Sequence, residues 1–234
     1  MIPIKTESAW RGTSDCRSCG IRDMVLFAEL SEQDFTAIHS PIDDLLYAPG
    51  DILFHEGQSA LGVFTLRRGM IKLVRVSGDG RERIVRVLVP GDVAGLEALV
   101  TKQFDSQGVA LTPVSVCRIP LDVVHNLSAN SPRMHRKLME KWHHALKQAD
   151  DWLADLNFGT ARQRVMSFVR KMHSLSDDGT ATLFSRDDMG AMMDLKLETV
   201  SREISGLVRD GLIKPLDKSG RRYEITDVQA LMSV

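Results

Sequence analysis

The sequence predicts an α+β fold in which a small antiparallel β domain, a long helix and a C-terminal winged helix-turn-helix follow one another. Residues 42–120 contain short segments rich in Val, Ile and Leu, separated by glycine turns. Residues 131–156 carry apolar side chains at steps of three and four, and residues 185–222 hold two short helical patterns and a hairpin-like turn. We divide the chain into an arm (1–25), a β domain (26–130), a helix (131–157) and a C-terminal domain (158–234).

The composition favours two modest globular domains. The chain has 234 residues, of which 43% are hydrophobic, and a net charge of -1 that indicates no particular partner. Three cysteines are too few for the disulfide framework of a secreted protein. The N-terminal residues lack the apolar core of a signal peptide, and no run of 18 apolar residues predicts a membrane span. We therefore expect a cytoplasmic protein with no membrane partner.

The arm contains Cys16 and Cys19, separated by two residues. Two thiols at this spacing can bind a metal, form a redox pair or serve neither role, and the spacing alone does not decide between them. Cys117 lies in the apolar run VSVCRIP of the β domain, where a cysteine is often only a small buried apolar residue.

The β domain is predicted from four strand-rich segments and their turns. The turns fall at Pro49-Gly50-Asp51, Arg68-Gly69, Ser77-Gly78-Asp79-Gly80 and Pro90-Gly91-Asp92. Many short strands at close spacing are typical of a small antiparallel barrel or sandwich. Such a domain is either a sensor or binding module, or a scaffold without a ligand.

The long helix is predicted from a heptad pattern after Ser131, with Pro132 in the first turn, where a missing backbone donor costs nothing. The residues assigned to a seam between two copies of this helix are Met139, Trp142, Leu146, Ala149, Leu153 and Leu156. A second, overlapping set suits packing against the chain's own domain: Leu138, Trp142, Ala145, Ala149, Trp152 and Leu156. Because the apolar stripe is wider than one two-helix contact requires, we expect a homodimer helix between two domains. A core helix of a monomeric bundle is the alternative.

The C-terminal domain is predicted to contain a helix-turn-helix, because two short helices are separated by a break at Asp194-Leu195. Ser185, with Asp188 three residues later, is a capping-box-like start for the first helix. In the second helix, residues 196–210, the apolar side chains predicted to face inward are Val200, Ile204, Leu207 and Val208. The outward polar face comprises Glu198, Ser201, Arg202, Ser205 and Arg209. Gly211 ends this helix, and the residues after it predict a two-stranded wing around Lys218-Ser219-Gly220.

The charge of this segment favours nucleic acid as its partner. Residues 196–222 hold seven Lys or Arg against four Asp or Glu, a local net charge of +3. Basic residues such as Lys218 and Arg221 suit DNA phosphates, which give affinity without sequence preference. Arg202 can pair with guanine and Glu198 can accept from cytosine, which would discriminate between sequences. The alternative is an ordinary solvated helix face.

The order of the three parts and the motif ETVSR at residues 198–202 resemble the CRP/FNR family of bacterial transcription regulators over nearly the whole chain. The resemblance implies a β-roll sensor domain of the cyclic-nucleotide-binding type, a homodimer, and two partners: double-stranded palindromic DNA and RNA polymerase. Glu198, Ser201 and Arg202 are similar to the FNR-like branch, which reads TTGAT-like half-sites, so an activator of that type is expected. Lys196 stands where many relatives have a capping Ser or Thr, which weakens the start of this helix.

The nucleotide-binding segment departs from the family pattern. The cyclic-nucleotide branch carries Gly-Glu-Leu, followed by an Arg-Ser that binds the phosphate. This chain has Gly95-Leu96-Glu97, and residues 104–111 contain no arginine. A bound phosphate would therefore lack its bidentate partner, and we expect no response to cyclic AMP.

The cysteines resemble part of the four-cysteine iron-sulfur site of the FNR-like branch. Cys16 and Cys19 are similar to two N-terminal ligands and Cys117 to the β-roll ligand, whereas the third N-terminal cysteine is missing. One interpretation is a cluster on these three cysteines with Asp23 as the fourth ligand. A second is a thiol switch that joins Cys16 or Cys19 to Cys117. A third is idle cysteines, with control by haem, another small ligand or protein abundance.

An enzyme is the remaining functional class. Cys16 and Cys19 have the spacing of a thiol oxidoreductase pair. In such enzymes the pair stands at a helix start within a βαβ unit, whereas here it lies in a polar arm before a β domain. We expect the chain not to be an enzyme.

Overall fold

A computed structural model confirms the α+β fold, with an N-terminal β domain, a long helix and a C-terminal helix-turn-helix with its wing. The structure describes residues 10–11, 26–28, 42–78, 80–176 and 178–229. The chain forms two compact units, of which the first comprises Met1–Asp79 and Val85–Gln148 and the second Gly80–Ile84 and Ala149–Val234. The division falls inside the long helix.

Within the described residues, nine strands build the β-roll. They are β1 (Trp10–Arg11), β2 (Ile42–Tyr47), β3 (Ile52–Phe54), β4 (Gly62–Arg68), β5 (Ile71–Val76), β6 (Glu82–Leu88), β7 (Val93–Ala94), β8 (Gln107–Ala110) and β9 (Val114–Pro120). A five-stranded sheet has the order β1-β2-β9-β4-β7, and a four-stranded sheet has the order β3-β8-β5-β6. Gly50, Gly69 and Gly91 adopt φ values of 92°, 88° and 94° in the predicted turns, a backbone conformation that favours glycine.

β1 was not predicted. It pairs with β2 in parallel, so that Trp10 lies beside Ile42 and Arg11 beside Asp43. A strand of two residues is too short to show an alternating pattern, and backbone hydrogen bonding to the edge of β2 defines it instead.

Aromatic rings fill the interior between the two sheets of the β-roll. The ring centroid of Phe54 lies 4.0 Å from that of Phe104 and 5.5 Å from that of Phe64. Two glycines leave room for these rings, because a Cβ atom on Gly95 would lie 2.6 Å from Phe104 and one on Gly108 would lie 2.6 Å from Phe54. The interior is therefore close-packed around Phe54 and Phe104.

Among the residues that the structure describes, the helices that interrupt or follow the β-roll are α1 (Ala98–Thr101), α2 (Leu121–Asn130) and α3 (Pro132–Asn157). In the first unit, Met134 and Leu138 of α3 join a buried cluster with Leu26, Phe27 and Cys117. Trp142 and Ala145 are partly buried against the same cluster. The first half of α3 is thus bound to the β-roll by apolar packing.

The last turns of α3 belong to the core of the second unit. Trp152 is buried, and its ring centroid lies 6.3 Å from that of Phe168. Leu156 is only 1% exposed. Its assignment to the dimer seam is therefore corrected: Leu156 packs inside its own chain and offers no surface to a second copy.

The second unit continues with α4 (Ala161–Ser174), β10 (Thr180–Thr182), α5 (Arg186–Met193), α6 (Leu197–Arg209), β11 (Ile213–Pro215) and β12 (Arg222–Ile225). Its sheet has the order β10-β12-β11, so the predicted two-stranded wing gains β10 as a third strand. Thr160 begins α4 with a capping box, because its hydroxyl accepts from the backbone of Gln163 while the Gln163 side chain accepts from the backbone of Thr160. None of the helices in the described ranges combines the length and apolar character that crossing a membrane requires.

The aromatic interior generates a stability prediction. Phe104→Ala should destabilise the β-roll by about 3–5 kcal/mol, because truncating a buried ring removes its contacts and leaves a cavity. Urea unfolding followed by circular dichroism measures the loss. Leu46→Ala is the matched control, since Leu46 is 81% exposed and should change stability by less than about 0.5 kcal/mol. Equal effects of the two substitutions would contradict the packing of Phe104.

Candidate nucleic-acid interface

The link between α5 and α6 is a tight turn. Asp194 ends α5 in the left-handed conformation, with φ 54°. The backbone N–H of Leu195 donates to the carbonyl oxygen of Gly190 at 3.1 Å. A Cβ atom on Gly190 would lie 2.5 Å from the carbonyl oxygen of Leu195, so only glycine permits this approach. The two helices are thereby held at a fixed geometry, as in a helix-turn-helix.

Caps and buried faces position both helices. At the start of α5, the Ser185 hydroxyl accepts from the backbone N–H of Asp188 at 3.0 Å and donates to its carboxylate at 2.7 Å. Val200, Ile204 and Leu207 are buried on α6, as the sequence predicted, whereas Val208, the fourth residue predicted to face inward, is half-buried. These side chains pack α6 into the second unit, so the opposite face of α6 is exposed to solvent.

The polar residues assigned to DNA lie on that opposite face. Glu198, Arg202, Ser205 and Arg209 are exposed, and Ser201 is half-buried. Arg202 places its Nε 3.4 Å from the Glu203 carboxylate, and its side chain is 71% exposed, so most of the guanidinium surface remains accessible. The face therefore offers cationic and hydroxyl donors beside one carboxylate.

The start of α6 has no side-chain cap. Lys196 occupies the cap position in an extended conformation, and its side chain makes no capping hydrogen bond. Glu198 in the first turn interacts favourably with the positive end of the helix dipole. The start of α6 is therefore weaker for lack of a cap, as the sequence predicted, and Glu198 partly compensates for this through its charge.

The acidic residue at the end of α6 is neutralised locally. Arg162 of α4 donates to the Asp210 carboxylate at 2.6 Å, and Arg209 Nε lies 3.7 Å from the same carboxylate. This arrangement removes one negative charge from a surface that would otherwise repel phosphate.

An aspartate organises the tip of the wing. The Asp217 carboxylate accepts from the Ser219 hydroxyl at 2.9 Å and from the backbone N–H groups of Arg221 and Arg222 at 3.2 and 3.3 Å. The hydrogen bond from Ser219 is the main reason why the pKa of Asp217 is lowered. The side chains of Lys218 and Arg221, which were assigned to phosphate contacts, are exposed beside this turn.

Arg186 is a residue that the sequence did not single out. Its guanidinium donates to the Tyr223 hydroxyl at 2.9 Å and to the Gly220 carbonyl oxygen at 3.4 Å. The contact ties the first residue of α5 to the tip of the wing. No local pattern connects residues 37 positions apart, so only the fold reveals it.

Cys117 has a polar neighbour inside the β-roll. Its thiol donates to the Asp44 carboxylate at 3.4 Å, and Arg67 lies 3.3 Å from the same carboxylate oxygen. Within the part of the chain that the structure describes, no group of three or more His, Cys, Asp or Glu residues is arranged to hold a metal. Cys16, Cys19 and Asp23 lie outside the described residues.

The outer surface of α3 carries large apolar side chains. Met139 is 47% exposed, and Leu146 and Leu153 are each 63% exposed. These three residues recur every seven positions along the helix. Trp142 and Ala149, the other seam candidates, are half-buried.

Comparison with protein families finds a known domain in the N-terminal part of the chain and another in the C-terminal part. Residues 45–131 match the cyclic nucleotide-binding domain, and residues 163–234 match the Crp-like helix-turn-helix domain. The chain is 27% identical over 229 residues to the "Anaerobic regulatory protein" of Pasteurella multocida, covering 94% of this chain and 82% of that protein. It is 26% identical over 223 residues to the "Transcriptional activator protein FnrA" of Stutzerimonas stutzeri, covering 91% and 88%.

A solved structure agrees with these relatives. The structure of FixK2 from Bradyrhizobium japonicum has a TM-score of 0.74 and 26% sequence identity, and the match covers 82% of this chain and 96% of that one. The curated relatives are regulators and not enzymes, so we reject the alternative that the chain is a thiol oxidoreductase. With the observed β-roll, long helix and helix-turn-helix, these matches show that the chain belongs to the CRP/FNR family of DNA-binding transcription regulators.

Proposed function

We propose that this regulator binds a palindromic DNA site as a homodimer and responds to oxygen or redox state through its cysteines. The observation that supports DNA reading most directly is the exposed polar face of α6, held outward by the buried Val200, Ile204 and Leu207. Relatives named for anaerobic regulation and for transcriptional activation support an oxygen-linked activator that works with RNA polymerase.

The residues of α6 and the wing divide the work of recognition. Arg202 reads guanine through a bidentate contact, and Glu198 accepts from cytosine. Ser201 and Ser205 supplement these contacts, whereas Arg209, Lys218 and Arg221 bind phosphates and set the position of the helix in the groove. A TTGAT-like half-site presents a guanine for Arg202 on one strand and its paired cytosine for Glu198 on the other.

The exposed seam of α3 supports the homodimer. Met139, Leu146 and Leu153 leave much of their apolar surface in contact with water in a single chain. A heptad repeat of this kind buries its surface against an identical helix. Trp142 and Ala149 border the seam, and Leu156 is excluded from it because it is buried within the chain.

Chain connectivity supports a role for the arm cysteines near Cys117. Arg11 pairs with Asp43, and Asp43 pairs with Arg118, the neighbour of Cys117. Because adjacent strands lie about 5 Å apart, the end of β1 lies roughly 10 Å from this part of β9. Cys16 follows Arg11 by five residues. Such a segment spans at most about 18 Å, which suffices to reach Cys117.

The residues after the arm cysteines return to the same place. Leu26 and Phe27 are buried in the cluster that contains Cys117 and the first half of α3. Both ends of the cysteine-bearing segment are therefore anchored around Cys117. A bond or shared ligand between Cys117 and the arm would act directly on the packing surface of α3.

An iron-sulfur cluster on this site would supply sensitivity to oxygen. Cys16, Cys19 and Cys117 would provide thiolates, and the fourth ligand would be Asp23 or Asp44. Asp44 is a candidate because its carboxylate already lies 3.4 Å from the Cys117 sulfur. Iron binding requires the thiolate, so Cys117 would have to give up its hydrogen bond to Asp44. A disulfide between Cys117 and Cys16 or Cys19 is the other redox route.

The β-roll interior argues against cyclic AMP as the signal. Phe104 is buried at the start of the segment in which the nucleotide-binding relatives place an arginine. Its ring stacks on Phe54 and lies tilted against Phe64, with centroids 6.2 Å apart. An apolar ring at this position offers no donor to a phosphate. Matching the cyclic nucleotide-binding domain therefore describes the ancestry of the fold rather than its ligand.

The burial of Cys117 favours a second candidate mechanism. Cys117 is buried, and its thiol already has Asp44 as a hydrogen-bond acceptor. A buried thiol of this kind is often a structural residue without redox chemistry. In that case the same DNA-binding regulator is controlled by haem, by another small ligand or by its abundance, and the cysteines are idle.

The division of labour on DNA can be tested with two substitutions. Arg202→Ala should weaken binding to the cognate palindrome by about 1–3 kcal/mol and leave random DNA almost unaffected, because it removes a base contact. Lys218→Ala should weaken both equally and reduce the slope of log affinity against log salt by about 1. Fluorescence anisotropy at several salt concentrations measures both. Arg133→Ala, an exposed arginine of the first unit, is the control. Identical losses on both duplexes for both variants would sink this assignment.

The seam can be tested by charge. Leu146→Glu with Leu153→Glu should give a monomer with two folded domains and weak specific binding, because four buried carboxylates would oppose association of two helices. Light scattering measures the mass, and circular dichroism verifies the fold. Val100→Glu is the control, since Val100 is 77% exposed and lies outside α3. A doubly charged variant that stays dimeric would refute the seam.

The redox proposal is tested by air exposure. The native protein, purified without oxygen and analysed for iron and sulfide, should lose DNA binding and dimer content in air. Cys16→Ser and Cys117→Ser should remove this response, since each deletes one thiolate of the proposed site, while Ser18→Ala should retain it. If native protein and both cysteine variants bind DNA alike with and without air, and no iron is present, the idle-cysteine mechanism holds instead.

A further inference from the structure

Two turns of the β-roll have the same sequence and the same local chemistry. Pro49-Gly50-Asp51 links β2 to β3, and Pro90-Gly91-Asp92 links β6 to β7. In each turn the aspartate accepts from the backbone N–H three residues earlier, at 2.7 Å for Asp51 and 2.9 Å for Asp92. As turn formers, the two aspartates are equivalent.

Their surroundings differ completely. Asp51 is exposed, whereas Asp92 is only 6% exposed. Gln148 Nε2 donates to Asp92 Oδ2 at 3.1 Å, and His144 Nε2 lies 3.2 Å from Asp92 Oδ1. Lys141 Nζ donates to the carbonyl oxygen of Gly91 at 2.7 Å. The second turn is therefore clasped by three side chains of α3, and we call this group of contacts the Asp92 clasp.

The charges around the clasp match the buried carboxylate. Burial lowers the pKa of Arg86 on β6, and the nearby Glu97 and Asp92 carboxylates oppose that shift. Burial likewise lowers the pKa of Lys141, against the attraction of Asp92. An uncompensated carboxylate would be expensive at such a site, so these cations and hydrogen bonds are what allow Asp92 to be buried.

The clasp differs in kind from the apolar packing of α3. Met134 and Leu138 pack α3 on the β-roll through contacts that have no preferred direction. Hydrogen bonds to a fixed turn, in contrast, constrain the rotation of a helix about its axis. Lys141, His144 and Gln148 share one side of α3. At 100° per residue, the exposed Met139 and Leu146 lie on roughly the opposite side.

We propose that Asp92 is a positioning residue that fixes the rotation of α3, so that Met139 and Leu146 face a second copy of the chain. The proposal rests on the proposed homodimer. Under this proposal the β-roll is also coupled directly to the seam, because a displacement of the loop between β6 and β7 would rotate α3 about its axis.

The test compares Asp92→Ala with Asp51→Ala in the full chain. Each substitution is combined with one of two cysteine probes. Leu146→Cys lies on the seam, and Lys147→Cys lies about 100° from Leu146 around the helix axis. Cross-linked dimer is measured after mild oxidation, with the native chain as the background for its own cysteines. With Asp51→Ala, Leu146→Cys should cross-link and Lys147→Cys should not. With Asp92→Ala, the Leu146→Cys product should fall about 10- to 100-fold and the Lys147→Cys product should rise, because hydrogen bonds to a buried charge are lost.

A second measurement does not depend on dimerisation. Amide hydrogen exchange of residues 139–148 should accelerate about tenfold or more with Asp92→Ala and remain native with Asp51→Ala. Equal cross-linking and equal exchange in the two variants would overturn the role of Asp92. A failure of Leu146→Cys to cross-link while Asp92 is intact would refute the homodimer instead, and hydrogen exchange alone would then decide whether the clasp orders α3.

Discussion

The packing of α3 is the constraint on which the rest of the protein depends. Met134 and Leu138 bind its first half to the cluster around Cys117, and Trp152 and Leu156 bury its last turns in the core of the second unit. Because these contacts bury two sides of α3 within its own chain, one apolar strip of the helix remains exposed to solvent. That strip, with Met139, Leu146 and Leu153, is the surface on which the proposed assembly relies.

The DNA-binding unit shows how a surface of mixed charge becomes suitable for phosphate. Two of its carboxylates are already engaged within the protein: Asp210 is paired with Arg162, and Asp217 accepts hydrogen bonds from its own turn. Arg186 adds rigidity by joining α5 to the wing through Tyr223. Lys218 and Arg221 are consequently left exposed on a fixed support.

The sequence predicted what depends on local patterns and missed what depends on the fold. Glycine turns located the strands, and buried Val200, Ile204 and Leu207 had already marked the inner face of α6. The heptad pattern assigned one apolar set of α3 to a seam between copies and the other to the chain's own domain, but it placed Leu156 in both. The burial of Leu156 depends on the packing of the second unit, which the pattern does not contain. The contacts of Cys117 with Asp44 and of Arg186 with Tyr223 join residues 73 and 37 positions apart, and no short motif records such pairs.

β1 has a consequence for the behaviour of the arm in solution. In the part of the chain that the structure describes, β2 has β9 on one side and the two residues of β1 on the other, so β1 covers this edge of the five-stranded sheet. An uncapped edge presents unpaired backbone groups that can pair with a strand from another molecule. Removing residues 1–25 to eliminate the arm cysteines would therefore also expose β2. Self-association of such a truncated chain would reflect loss of edge protection and would carry no information about its redox chemistry.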